Sequence, residues 1–189
     1  KTRMLTYYHE NIRIKEKLGF EPPGKPAGSP ARVVGWSSGG KRERITIRAG
    51  HDRELEVGRV VVTSAGLVGR IVEAQGQYAE VVLLLEPGHA VAGVIQRIPS
   101  DQGMVYPSPD NQPGDQMLQL SKVRRGSDTR VGDVVISSGL GGVYSPGLGI
   151  GTVESVERSS FSGSSIVAYV RPFADFNHLD YVLVLKRAD

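Results

Sequence analysis

One pattern occurs twice in this sequence. A segment spelled VGRVVVTS begins at Val57, and a segment spelled VGDVVISS begins at Val131. Each is followed by a glycine-containing turn and then by a second matching segment, Val68–Val72 in the first copy and Ile150–Glu154 in the second. Self-similarity of this kind is typical of repeated structural units. The chain is therefore expected to fold into two related units.

Both units have the character of β-structure. From Ala31 onward the helical period is absent, and apolar residues alternate with polar ones, as Ile45 and Ile47 do in residues 43–49. Short segments separated by turn residues at regular spacing favour barrels or sandwiches over alternating strands and helices. About twelve such segments are present, near residues 31–37, 43–49, 59–64, 67–74, 78–86, 90–97, 103–106, 116–121, 133–138, 150–157, 165–171 and 181–186.

We therefore predict a mainly β protein with two small, six-stranded, barrel-like domains. The first is expected at residues 31–98 and the second at residues 99–189. The last strand has two possible places, since it either completes the second domain or pairs back with the first.

The N-terminal residues differ from the rest. In residues 1–20, Leu5, Tyr8 and Ile12 fall on one stripe of a helix. A helix this short is marginal in water, so we predict the end of a dimerising coiled coil, with a frayed chain end as the alternative. Residues 21–30 contain four prolines and two glycines, which predicts a semi-rigid linker.

Composition and charge narrow the function classes. No apolar run approaches the roughly 20 residues that cross a bilayer, and the chain begins at Lys1 rather than Met, so we expect native residues to precede it. Cysteine is absent, which rules out disulfides and thiolate metal sites, and the four histidines are too dispersed for a local zinc motif. The net charge of +3 lies in short clusters that fit solvated strand edges better than a nucleic-acid-binding stripe. We predict no cofactor, no metal and no nucleic-acid partner.

The turn of the second repeat is unusual. Three residues separate Ser64 from Val68 in the first copy, whereas eleven separate Ser138 from Ile150 in the second. No nucleotide-binding glycine motif occurs there, and a strand pattern follows where a phosphate loop would have a helix. The enlarged turn carries more apolar side chains than a hydrated turn needs, so they either contact a partner or fold back over the open end of the second barrel. The candidate contact residues are Leu140, Val143, Tyr144, Pro146 and Leu148.

Three further aromatic residues are candidate contacts. Trp36 lies between an apolar segment and a glycine-rich turn, where an interface role competes with packing at the mouth of the first barrel. Tyr106 and Phe161 lie in loop-like surroundings.

A hydrolase is the enzymatic alternative. The order His51, Asp101, Ser138 across two β units is that of two-barrel serine proteases, but the flanking residues lack the motifs of that family, and catalysis would require the three side chains to converge. A G-x-S-x-G match at residues 35–39 is followed by a strand pattern where a nucleophile elbow needs a helix.

The stretch VGDVVISSGLGGVYSPGLGIG, residues 131–151, closely resembles the signature of the rod shape-determining protein family MreC. Tyr144 stands where that signature has Phe, and Ser145 and Gly149 stand where it has Pro. The resemblance extends to residues 66–72, residues 81–85 and the ending at residues 174–185, and so covers nearly all of residues 31–187.

The resemblance implies a non-enzymatic scaffold and regulator of lateral peptidoglycan synthesis and rod cell shape. It implies binding to the elongation-specific class B penicillin-binding protein, to MreD, RodA and the MreB system, and self-association as a homodimer or filament. It also implies an extracytoplasmic location behind one N-terminal transmembrane helix, with residues 1–20 as the end of the coiled coil. Another extracytoplasmic binding module and the serine hydrolase remain the alternatives.

Overall fold

The computed structural model describes residues 28–37, 43–50, 54–97, 101–123, 127–158 and 166–186. These residues form twelve β-strands: β1 (Gly28–Trp36), β2 (Arg44–Ala49), β3 (Val60–Val62), β4 (Leu67–Gln75), β5 (Tyr78–Leu83), β6 (Val91–Ile95), β7 (Gln102–Pro107), β8 (Leu118–Val123), β9 (Val134–Ser137), β10 (Gly149–Arg158), β11 (Ile166–Pro172) and β12 (Tyr181–Leu185). Among the residues that the structure describes, no helix has the length and apolar character needed to span a bilayer.

The predicted mainly β fold with two six-stranded barrels is confirmed. Barrel 1 closes in the order β1-β12-β3-β4-β5-β2, and barrel 2 in the order β10-β11-β8-β7-β6-β9, with every neighbouring pair antiparallel. The helix expected at residues 1–20, with Leu5, Tyr8 and Ile12, lies outside the described residues.

The linker predicted for residues 21–30 is wrong at its end, because β1 already begins at Gly28 and pairs with β12. The two strands approach so closely there that a Cβ atom on Gly28 would lie 2.6 Å from Cγ of Leu183. Residues 28–30 therefore belong to barrel 1.

The barrels have the same topology and exchange one strand. Replacing β1 to β5 of barrel 1 by β7 to β11 gives the pairing order of barrel 2, and β12 then occupies the place of β6. Yet β6, which follows β5 along the chain, pairs with β7 and β9 in barrel 2, whereas β12 pairs with β1 and β3 in barrel 1. Each half of the chain thus contributes its sixth strand to the other barrel. The boundary predicted between residues 98 and 99 is therefore wrong for β6, which lies before that boundary but belongs to barrel 2. Of the two places expected for the last strand, β12 takes the one in barrel 1.

The repeated sequence corresponds to repeated geometry. The N–H of Gly58 donates to the carbonyl of Ile71 at 2.8 Å, and the N–H of Gly132 donates to that of Val153 at 2.8 Å. Both glycines have a positive φ, +87° and +92°, a region that L side chains rarely adopt. The same turn therefore introduces the β3–β4 hairpin and the β9–β10 hairpin.

The two crossing segments, residues 84–90 and residues 173–180, join the barrels. Phe176 is fully buried in the second of them, and its N–H donates to Oε1 of Gln116 at 2.7 Å. The N–H of Val33 donates to the carbonyl of Asp180 at 2.9 Å, which connects the same segment to β1. Buried residues of both barrels form one hydrophobic cluster.

Candidate partner-binding loop

The glycine-rich loop, residues 138–148, is held closed by the side chain of Ser137. Its hydroxyl donates to the carbonyl of Ser145 at 2.6 Å and accepts the N–H of Leu148 at 2.9 Å. Backbone hydrogen bonds from Gly147 N–H to Ser137 carbonyl and from Ser137 N–H to Leu148 carbonyl, both 2.8 Å, close the loop at its base. Ser137 is only 1% exposed, whereas its partners Ser145 and Leu148 are half-buried, so these bonds are partly shielded from water.

Glycine is needed inside the loop. Gly141 and Gly142, at its tip, have φ values of +86° and +68°, and Gly139 and Gly147 near its ends have +82° and +87°. A side chain at any of these positions would be strained. The glycines thus shape the turn, and Ser137 fixes its closure.

Tyr144 points inward to the first crossing segment. Its hydroxyl lies 2.6 Å from Nε2 of His89, and the two rings meet edge to face with centroids 5.9 Å apart. Tyr144 is 6% exposed. The loop of barrel 2 is therefore attached where the chain leaves barrel 1 and enters barrel 2 at β6.

Burial keeps both side chains neutral at this contact. Burial, with a smaller contribution from the positive charge of Arg70, lowers the pKa of His89 to about 4. Burial also raises the pKa of Tyr144 well above its ordinary value. A neutral imidazole and a neutral phenol therefore share this hydrogen bond at pH 7.

The prediction that Tyr144 contacts a partner is wrong, since its side chain is enclosed. Leu140 and Val143 are different, because they are 64% and 46% exposed on the same loop. Pro146 is also exposed, whereas Leu148 is half-buried and packs against the core. Tyr144 thus folds inward, while Leu140 and Val143 face solvent and their contact with a partner stays a prediction.

The other aromatic candidates are in different positions. Trp36 is 38% exposed at the end of β1, directly opposite the buried Ile45, which places it at the rim of barrel 1. Tyr106 does not lie in a loop, because it is part of β7, where it is half-buried and pairs with Gln119. Phe161 lies outside the described residues.

The residues of the hydrolase alternative have other hydrogen-bond partners. A carboxylate oxygen of Asp101 accepts the hydroxyl of Ser127 at 2.6 Å, and the hydroxyl of Ser138 accepts the N–H of Leu140 at 3.2 Å. His51 lies outside the described residues. Within the described ranges, no three His, Cys, Asp or Glu side chains gather in a group that could hold a metal ion.

Sequence reasoning missed the two contacts that fix the loop. In the sequence, Ser137 was visible only as a residue near the end of the segment at 133–138. The backbone groups of Ser145 and Leu148 become its neighbours only when the loop closes. His89 and Tyr144 are 55 residues apart. No short motif connects them, so only the tertiary fold could identify this pair.

Comparison with known proteins points to one family. A family model described as "Rod shape-determining protein MreC, barrel core" matches residues 33–186. The cell shape-determining protein MreC of Escherichia coli is 28% identical over 97% of this chain and 48% of its own length. That of Haemophilus influenzae is 30% identical over 76% of this chain and 39% of its own length. The chain thus spans about half the length of these curated relatives.

Solved structures agree with the fold. MreC of Listeria monocytogenes has a TM-score of 0.76 and 26% identity, and the match covers all of this chain and 89% of that one. The major periplasmic domain of the cell shape-determining filament MreC has a TM-score of 0.69 at 20% identity, over 84% of this chain and 95% of that one. MreC from a complex with penicillin-binding protein PBP2 of Helicobacter pylori has a TM-score of 0.62 at 16% identity, over 84% and 97%.

Proposed function

This chain belongs to the MreC family of rod shape-determining proteins, and on that premise we propose that it is a non-enzymatic scaffold of lateral peptidoglycan synthesis. In this proposal it lies outside the cytoplasmic membrane, anchored by a transmembrane segment that precedes Lys1. It binds the elongation-specific class B penicillin-binding protein, acts with MreD, RodA and the MreB system, and self-associates. The coiled coil through Leu5, Tyr8 and Ile12 belongs to the same proposal.

The observation that carries the proposal is the exposed apolar pair on a braced loop. Leu140 and Val143 are exposed, yet the loop beneath them is tied down by Ser137 and Tyr144. A binding site held in one conformation loses little conformational entropy when it binds. Exposed apolar side chains ringed by polar surface are typical of protein contacts.

The class of partner in this proposal is taken from the relatives. The Helicobacter pylori protein with the same fold was solved in a complex with PBP2. Another neighbour is described as a periplasmic domain of a filament, which supports the location and self-association in the proposal.

The test is binding of this chain to the extracytoplasmic part of its cognate elongation penicillin-binding protein, measured by calorimetry. Leu140→Asp and Val143→Asp place a charge in the proposed contact, and we expect each to weaken binding at least tenfold. The control is Val131→Asp, because Val131 is 68% exposed on the same barrel but outside the loop.

Three results would count against the proposal. Absence of binding by the unaltered chain would contradict this partner. Equal weakening by Val131→Asp would show a general charge effect instead of a loop contact. Unchanged binding by both loop variants would move the contact elsewhere on the surface.

A further inference from the structure

Four exposed side chains form a line across the outside of barrel 1. In the strand register, Tyr181 of β12 faces Arg32 of β1, Arg32 faces Arg48 of β2, and Arg48 faces Tyr78 of β5. Directly opposed residues of antiparallel strands project from the same side of the sheet. We call Tyr181, Arg32, Arg48 and Tyr78 the Tyr-Arg row.

The middle of the Tyr-Arg row is electrostatically unfavourable in the isolated chain. Arg32 and Arg48 are cations directly opposite each other, an arrangement that destabilises a sheet. In the part of the chain that the structure describes, neither forms an ion pair. Other arginines there do have carboxylate partners, namely Arg44, Arg59, Arg97, Arg130 and Arg171. Within the described ranges, the Tyr-Arg row therefore presents two positive charges without a carboxylate partner.

The ends of the row are aromatic and exposed. Tyr181 is 67% and Tyr78 is 48% exposed. The guanidinium carbon of Arg48 lies 5.7 Å from the centroid of the Tyr78 ring, a cation–π contact that orients the guanidinium. Tyrosine and arginine are enriched in protein interfaces, whereas lysine is depleted from them.

We propose that the Tyr-Arg row is a docking surface for an extended acidic segment of a partner protein. Arginine binds carboxylates through two parallel hydrogen bonds, which suits two acidic side chains on one face of an extended peptide. Three strand spacings of about 4.8 Å make the row about 14 Å long, the length of roughly four extended residues. The two carboxylates would neutralise Arg32 and Arg48, and the tyrosines would pack against the flanking residues of the segment.

This surface does not depend on the loop contact proposed above. The Tyr-Arg row belongs to barrel 1, whereas Leu140 and Val143 belong to the loop between β9 and β10 of barrel 2. Loss of one interaction therefore leaves the other measurable, and the two proposals can fail separately.

The experiment is a titration of the 189-residue chain, observed through the arginine Nε–H resonances in NMR spectra. The probe is a capped hexapeptide in which glutamate and threonine alternate, and the comparison peptide carries glutamine in place of glutamate. We expect saturable shifts of the Arg32 and Arg48 resonances with the glutamate peptide alone. Arg32→Gln and Arg48→Gln should each weaken binding at least fivefold, and added salt should weaken it further.

The matched control is Arg130→Gln, which removes the same charge from an exposed arginine of barrel 2. An equal loss of binding in this variant would overturn the proposal, because it would show that only net charge matters. Absence of shifts at Arg32 and Arg48 would also overturn it. Stronger binding to vesicles of phosphatidylglycerol or to polyphosphate than to the peptide would replace the protein partner by an anionic lipid or polymer, and so would reject the proposal as stated.

Discussion

Ser137→Ala tests whether one hydroxyl closes the glycine-rich loop. The substitution removes a donor to the Ser145 carbonyl and an acceptor for the Leu148 N–H, and it keeps the Cβ atom in the buried site. Two backbone groups then lose their partners on the shielded side of the loop. The change is local, because β9 keeps its own ladder with β6 and β10.

The magnitude follows from these two bonds. Leaving a buried polar group without its partner costs about 1–3 kcal/mol. Since Ser145 and Leu148 are only half-buried, water partly compensates, and the lower part of that range applies to each. We therefore expect Ser137→Ala to lower the free energy of unfolding by about 2–3 kcal/mol in all.

Urea unfolding measures the loss, and amide hydrogen exchange locates it. The Leu148 N–H should exchange faster in Ser137→Ala than in the unaltered chain. Ser138→Ala is the matched control, because the neighbouring hydroxyl accepts only the Leu140 N–H at 3.2 Å and is more exposed. Equal stabilities of the two variants, or an unchanged exchange rate at Leu148, would refute the reasoning and leave the glycines alone to shape the loop.

Three further predictions concern other parts of the molecule. The pKa of His89 is lowered to about 4 in the folded chain from about 6.5 when unfolded, so the unfolded chain binds more protons between these two pH values. The free energy of unfolding should therefore fall as the pH drops from 6.5 to 4. Because His89 is partly exposed, we expect a fall of about 1–2 kcal/mol. His89→Gln should remove that part of the slope in urea titrations at pH 4–7, and parallel curves would contradict the assignment. Gly69→Ala places a Cβ atom 1.8 Å from the Val82 carbonyl oxygen and should cost about 3 kcal/mol or more in thermal unfolding. Gly50→Ala should be nearly neutral, because among the described residues no atom beyond its chain neighbours lies within 4 Å of the added Cβ. Arg32→Gln relieves the like-charge pair and should raise the free energy of unfolding by about 0.2–1 kcal/mol; a destabilised variant would argue against that repulsion.

The strands could be predicted because their signal is local. Alternation along seven residues identifies a strand such as β2 without reference to the rest of the chain, and the repeat indicated that there are two related units. The pairing of β6 and β12 could not be predicted in this way. Alternation says that a strand has one buried face, but it does not say which barrel buries it.

For the candidate loop too, the sequence predicted the local features but not the tertiary contacts. Its glycine content predicted a turn of defined shape. Its apolar residues predicted that the turn either contacts a partner or folds back over the barrel. In the sequence, Leu140 and Tyr144 were both contact candidates of the same loop, yet Leu140 is exposed and Tyr144 is buried. The difference comes from His89, which reaches Tyr144 only through the crossing of the chain between the barrels. The Tyr-Arg row was missed for a similar reason, since its members come from four strands.

The exchange of β6 and β12 has a mechanical consequence. Each of these strands is hydrogen-bonded on both edges inside the barrel that it enters, β12 to β1 and β3, and β6 to β7 and β9. A force that pulls the barrels apart must draw a strand out of a closed sheet and break two ladders at once. Two barrels joined by a simple tether would separate under load at the weaker surface contact between them. Here the load passes into the backbone ladders, so the pair transmits tension as a single element.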